Sequence, residues 1–221
     1  MRVIRGKEVT LYPGQSASAP LVVVNTFEHE GERIKDAVKT VTEKDFSLLA
    51  VAGLSWDDDM SPWAAPPTRP GDNPCAGKAD EYLDILTGDI LPAALETLGD
   101  TPAWIGLSGY SLAGLFAVYA MYRTDLFARI ASASGSLWYP DFPSYVYGHQ
   151  LKRVPDRLYF SLGDREAKTG NPYLQPVQKN TEEIKEYFRQ QGIHTIFELN
   201  KGNHFQRSTE RMAKGIAWIL D

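Results

Sequence analysis

The segment that most restricts what this chain can become is Trp104-Ile105-Gly106-Leu107-Ser108-Gly109-Tyr110-Ser111-Leu112-Ala113-Gly114. An apolar run with strand character passes into Gly-x-Ser-x-Ala-Gly and then directly into a segment that is apolar almost all round through Tyr122. A strand that becomes a helix so abruptly must bend sharply, and small residues flanking the bend let the backbone pass close to itself. The residue at the apex is then held in a sparsely populated conformation with its side chain exposed. That residue is Ser111. Ala113 stands where a second glycine would be usual and remains small enough for the turn. A serine that merely caps a helix would also fit a Ser-Gly pair, and Ser108, on the strand side of the turn, reads as structural.

The rest of the chain supplies the context such a turn requires. Strand-like runs fall at Val9–Leu11, Leu21–Asn25, Ser47–Ala52, Trp104–Leu107, Arg129–Ala133, Leu158–Leu162 and Thr195–Leu199. Several are apolar without alternation, as strands are when helices cover both faces of a parallel sheet. Between them lie segments of helical period. Glu81–Leu98 carries one apolar stripe and is expected to kink at Pro92; Thr181–Gln191 stops at Gly192; Phe205–Leu220 turns Met212, Ile216 and Ile219 inward. Strands alternating with helices predict an α/β fold with a mostly parallel central sheet, and no linker divides residues 1–221, so one domain is expected. Two segments, Leu54–Ala76 and Gly135–Gly148, follow neither period and are read as irregular loops over the sheet edge.

A serine hydroxyl is a poor nucleophile near neutral pH without a base. Of the four histidines, His29, His149 and His194 sit by an early strand, in a loop and at a strand start. His204, in Asn200-Lys201-Gly202-Asn203-His204-Phe205, follows the last strand and precedes the terminal helix, where the chain order serine, acid, histidine would place the base. The acid belongs in the loop after the penultimate strand, where Asp164-Arg165-Glu166 offers two carboxylates. Glu166 is the preferred partner for the imidazole and Asp164 the alternative; the other carboxylate would pair with Arg165 or Lys168 at the surface. A developing oxyanion needs backbone donors: the N–H of Leu112, next after the serine, and a second from the loop after Leu21–Asn25, for which Phe27 is nominated with Thr26 beside it.

Trp56 and Trp63 in the first irregular loop, with Trp138 and Tyr139 in the second, are expected to wall a partly apolar binding pocket. Asp57-Asp58-Asp59 would lie at its rim and discourage anionic ligands; three adjacent Asp without a Gly-bounded array of oxygens do not make a cation loop, and neither metal nor cofactor is expected. The net charge of −5, with no Lys/Arg cluster, argues against nucleic acid or an anionic membrane as the partner. Cys75 is the one cysteine, Met1–Lys7 is followed by no apolar stretch, and no run approaches the ~20 apolar residues of a membrane span, so a cytoplasmic location is expected.

Taken together, Gly109-Tyr110-Ser111-Leu112-Ala113-Gly114-Leu115-Phe116, Ser134-Gly135-Ser136-Leu137-Trp138, Ser161-Leu162-Gly163-Asp164-Arg165-Glu166 and Gly202-Asn203-His204-Phe205 resemble the esterase family of α/β-hydrolases that includes esterase D and the enterochelin-type siderophore esterases. The Asp-Met-Ser-Pro-Trp and Asn-Pro-Cys segments look like a compact bacterial branch of it. The resemblance covers about half the chain, from the turn to the terminal helix. It implies ester hydrolysis through an acyl-enzyme, with a triad on Ser111, Glu166 or Asp164, and His204, acting on a small-molecule ester. Small neutral or aryl esters are expected over polyanionic siderophore lactones, because the chain lacks cationic richness. The same residues would also serve an acyltransferase or thioesterase, and a fold alone would serve an inactive binding module. The oligomeric state is left open.

Overall fold

A computed structural model describes residues 1–221. Eight strands form one sheet: β1 (Arg2–Ile4), β2 (Lys7–Tyr12), β3 (Leu21–Asn25), β4 (Ser47–Ala52), β7 (Ile105–Tyr110), β8 (Arg129–Ala133), β9 (Arg157–Gly163) and β10 (Thr195–Asn200), in the order β1-β2-β4-β3-β7-β8-β9-β10. Only β1 on β2 and β2 on β4 are antiparallel; every pairing from β4 through to β10 is parallel. The strand direction brings the carboxyl ends of β3, β7, β8, β9 and β10 to one edge. The side chains of β3 and β4 alternate between two cores: Leu21, Val23, Leu49 and Val51 join one, Val22, Val24, Leu48 and Ala50 the other. Burial on both faces explains why these strands carry no polar alternation.

Helices cover both faces. The smaller core holds α1 (Gly31–Lys39) and α8 (Ser208–Leu220), where Met212, Ile216 and Ile219 are buried as the periodicity required. The larger core holds α3 (Ala79–Ile85), α4 (Leu91–Leu98), α5 (Leu112–Ala120) and α7 (Val177–Gln190). Every residue of α5 is buried, so its lack of an amphipathic stripe is the signature of a central helix. Gly192 just beyond α7 takes φ 81, the left-handed stop its position suggested.

The structure corrects several sequence readings. The segment read as one kinked helix from Glu81 begins at Ala79 and is interrupted by a π turn over Leu86–Ile90, one turn ahead of Pro92. Proline has no N–H to donate to the Gly88 carbonyl, and the widened turn absorbs the defect. Helix α1 is an addition to the helices that periodicity predicts, though Ile34 and Val38 stand one turn apart and are its buried contacts. The Leu54–Ala76 loop is partly ordered, with a helical turn α2 (Trp56–Asp59) and a two-stranded ribbon of β5 (Ala64–Ala65) and β6 (Cys75–Ala76). Three Asp residues suit a helix start, and Asp59 reaches back to the Ser55 N–H at 2.8 Å. Within Gly135–Gly148 lies α6 (Phe142–Gly148), with Pro143 in the first turn, where its missing N–H costs nothing.

Candidate active site

Strand β7 ends at Tyr110 and α5 begins at Leu112, so Ser111 alone makes the turn, at φ 59 and ψ −124. Such a conformation costs a non-glycine residue about 1–3 kcal/mol and persists only where its surroundings enforce it. Here the Ser111 N–H donates to the Ala133 carbonyl, and its own carbonyl accepts from Gly114, Leu115 and Ser136. A Cβ on Gly109 would lie 2.3 Å from the Ala113 carbonyl carbon, so glycine is the residue that lets the helix start cross the strand end. The Ser111 hydroxyl makes no capping bond to α5. Its Oγ lies 3.0 Å from His204 Nε2 and 3.5 Å from Ser136 Oγ.

The imidazole comes from the loop after β10 and the carboxylate from the loop after β9. His204 Nδ1 lies 2.7 Å from Glu166 Oε2; an ionised carboxylate only accepts, so the proton belongs on Nδ1 and leaves Nε2 free to accept from Ser111. The other oxygen, Oε1, accepts from the Gly163 N–H at 2.6 Å, the Ser134 hydroxyl at 2.8 Å and Arg211 Nη1 at 2.7 Å. Burial pushes the Glu166 pKa up. The hydrogen bond and charge of His204, with the Gly163 and Ser134 donors, more than offset it and hold the carboxyl below its ordinary range.

Arg211 is 1% exposed. Its Nη1 also donates to Ser134 Oγ and Tyr110 Oη, and its Nη2 to the carbonyls of Lys201 and Asn203. Tyr110 in turn donates to the His204 carbonyl at 2.6 Å. One guanidinium thus ties together the loops that carry the serine, the carboxylate and the imidazole. A Cβ on Gly163 would lie 2.6 Å from Arg211 Nη2, so that glycine leaves room for it. Sequence reasoning does not single out Arg211, Tyr110 or the role of Ser134. An Arg in an amphipathic helix gives no sign of pointing inward. The positive φ of Ser134 (46°) is equally invisible in a Ser-Gly-Ser string.

Not every nominated residue reaches this centre. Asp164 accepts the Gly202 N–H at 2.9 Å; it neither meets His204 nor forms the surface ion pair considered for it. Leu112 is the first residue of α5, where an N–H has no intrahelical acceptor, and no hydrogen bond occupies the Phe27 N–H. The Thr26 N–H, by contrast, donates to the Val51 carbonyl at 2.9 Å to continue the sheet, which removes it as an oxyanion donor. His29 meets Glu8, His149 stacks on Tyr145, and His194 packs on Trp218.

A cleft of about 560 Å³ opens over Ser111 and His204, lined by Trp56, Trp138 and Tyr139 together with Asp57, Arg69 and Asp72. Trp63 is not part of it: its ring packs among Tyr119, Tyr139, Phe142 and Tyr145, and its Nε1 donates to the Pro140 carbonyl. Of the three Asp, only Asp57 faces the cleft. Asp58 pairs with Lys78 and accepts the Ala76 N–H, and the buried Asp59 pairs with Lys7. A second cleft of about 390 Å³ shares Ser111 and His204 with the first and is lined also by Phe27 and Met212. No helix is long and apolar enough to cross a membrane.

Comparison with known proteins places this architecture. A family profile described as "Putative esterase" matches residues 27–208. YbbA of Bacillus subtilis (strain 168) is 22% identical over 220 residues, covering 94% of this chain and 88% of that protein. The siderophore hydrolase EstA from Aspergillus nidulans superposes with a TM-score of 0.74 at 16% identity, over 98% of this chain and 94% of that one. An IroE-like serine hydrolase from Shewanella oneidensis gives 0.76 at 18%, over 96% of this chain and 75% of that one. At such identities the structural matches speak for the fold, an α/β-hydrolase-like sheet with its helices.

Proposed function

This chain belongs to the esterase family and is a carboxylic ester hydrolase acting on small-molecule esters, and we propose that Ser111, His204 and Glu166 form its catalytic triad. The observation that carries the reading is the unbroken chain from Ser111 Oγ through His204 Nε2 and Nδ1 to Glu166 Oε2, at 3.0 and 2.7 Å. In this mechanism the Ser111 hydroxyl gives its proton to Nε2 as its oxygen attacks the ester carbonyl. Charge then develops on the carbonyl oxygen, and the N–H groups of Leu112 and Phe27 stabilise it. The imidazolium returns its proton to the departing alcohol, leaving an acyl group on Ser111. Water, deprotonated by the same nitrogen, attacks that acyl group and releases the acid.

Glu166 keeps Nδ1 protonated, the ring oriented and the imidazolium stabilised. Arg211 is a positioning residue: it occupies the carboxylate oxygen that the imidazole does not use and holds the His204 loop by two carbonyls. Trp56 and Trp138 receive the substrate, with the buried Tyr139 packed against Trp138, and both charge signs on the larger cleft favour neutral over polyanionic esters. A cytoplasmic location fits the free thiol of Cys75, and cell fractionation tests it.

The test is fluorophosphonate labelling followed by a screen of esters and thioesters with Ser111→Ala as control. Labelling on Ser111 and turnover lost in the variant are expected. Retention of near-wild-type turnover by Ser111→Ala would refute the assignment.

A further inference from the structure

Two serines of one turn serve opposite ends of the Ser111–His204–Glu166 chain. Ser134 and Ser136 follow β8, and both line the larger cleft. The Ser134 hydroxyl donates to Glu166 Oε1 at 2.8 Å and accepts from Arg211, so its hydrogen bonding is spent. Ser136 differs. Its backbone is committed: the N–H donates to the Ser111 carbonyl and the carbonyl accepts from the Tyr139 N–H, both at 3.0 Å. Its side chain, in a residue only 2% exposed, has one polar neighbour within hydrogen-bonding reach, Ser111 Oγ at 3.5 Å.

A hydroxyl normally bonds at about 2.7–2.8 Å, so a buried one left with a single long contact calls for an explanation. Ser108 and Ser161 also bury hydroxyls that lack a partner, but both lie within strands and neither lines a cleft over Ser111. Ser136 stands beside the reacting oxygen itself. The direction of the bond follows from the neighbours. Ser111 has one proton and gives it to His204 Nε2, so in the Ser111–Ser136 pair Ser136 is the donor. The bond is weak in the resting enzyme, and hydrogen bonds of catalytic groups commonly tighten only as the reaction proceeds.

Charge on Ser111 Oγ is greatest while its bond to the acyl carbon forms or breaks. A donor that binds the resting oxygen weakly and the charged one strongly lowers the barrier between them. We propose that Ser136 is a further catalytic residue, whose hydroxyl donates to Ser111 Oγ as that oxygen carries charge, above all when it leaves the acyl group. The inference rests on Ser111 as nucleophile. In deacylation, water gives a proton to His204 Nε2 and its oxygen bonds to the acyl carbon. The bond from that carbon to Ser111 Oγ then breaks, its electron pair goes to Oγ, and the proton on Nε2 follows. Ser136 keeps its own proton throughout. The initial attack passes through the same contact but starts from a hydroxyl oxygen, a better acceptor than the ester oxygen of the acyl-enzyme, so it gains less.

Pre-steady-state hydrolysis of p-nitrophenyl acetate separates the two steps: the first release of nitrophenolate reports acylation, and the turnover that follows reports deacylation. Ser136→Ala is expected to lower the deacylation rate by ~10-fold or more, the scale of a lost hydrogen bond to a charged group, and acylation by a smaller factor. Acetyl-Ser111 then accumulates and is read by intact mass after acid quench. Ser136→Thr keeps the hydroxyl and is expected to restore most of the deacylation rate. Ser136→Cys keeps the volume with only a weak donor and is expected to remain slow, which carries the test should the alanine variant fail to fold. The pH midpoint of kcat/KM is expected to stay at the wild-type value, because the His204–Glu166 contact is untouched. Fluorophosphonate labelling counts assembled sites, and each rate is taken per labelled site. Wild-type deacylation in Ser136→Ala or Ser136→Cys, equal slowing of both steps, or a shifted midpoint overturns this inference alone. Failure of the wild-type protein to label would overturn the nucleophile assignment and this inference with it.

Discussion

Two carboxylates two residues apart have opposite fates here because of what each oxygen touches. Glu166 meets His204 with one oxygen and three donors with the other; Asp164 accepts a single N–H from Gly202. Glu166→Gln presents an amide that cannot hold Nδ1–H in the same way, and kcat is expected to fall by roughly 10³–10⁴, the scale of a lost triad acid. Asp164→Asn keeps an oxygen for the Gly202 N–H, and its kcat is expected within about threefold of wild type. Steady-state kinetics of the two variants separate the roles, and equal small losses would indicate a dyad. Arg211 acts through its neighbours. Arg211→Met leaves Glu166 buried without its cation, and a loss of about 3–5 kcal/mol is expected in urea unfolding. Arg211→Lys restores charge but not the planar fork that reaches an oxygen, two hydroxyls and two carbonyls, so it should recover only part of that loss. A deficit below about 1 kcal/mol in Arg211→Met would contradict the role given to it.

At the scale of elements, the two irregular loops divide their tryptophans between packing and binding. Trp63 fastens the Leu54–Ala76 segment to α5 and α6 through an aromatic cluster, while Trp138 borders the cleft. Trp63→Ala is therefore expected to destabilise the protein by about 3–5 kcal/mol. Trp138→Ala is expected to raise KM for esters that fill the larger cleft and leave the urea midpoint nearly unchanged. Unfolding curves and KM measured on both variants check the division, and a KM effect from Trp63→Ala without loss of stability would reverse it. Composition makes both residues look like pocket walls, because it reports that a loop is aromatic and not which way a ring points. The helix α1 and the π turn before Pro92 are hard to read for a related reason: a nine-residue helix with a narrow stripe, and a proline defect absorbed one turn earlier, leave faint traces in sequence.

For the molecule as a whole, the centre is coupled to folding through its buried carboxyl. Glu166 is held below its ordinary range, so its stabilisation is complete at pH above the unfolded glutamate value and is lost as pH falls toward the folded one. The stability gap between wild type and Glu166→Gln is expected to narrow from about pH 6 to about pH 3. Urea unfolding over that range checks it, and a constant gap would argue against the lowered pKa. Ser111 and His204 are legible in the chain itself because each occupies a position that chain order and local sterics dictate: a one-residue strand-to-helix turn, and a loop between the last strand and the last helix. The parallel sheet is legible too, since strands buried on both faces must be continuously apolar. That Glu166 and not Asp164 meets His204, that the Thr26 N–H and the Trp63 ring are engaged elsewhere, and that Arg211 joins the group required the tertiary structure. Those outcomes depend on where a side chain points and on which backbone groups the sheet has already taken. These contacts join residues 25 to 101 positions apart, and no local pattern in the chain encodes them.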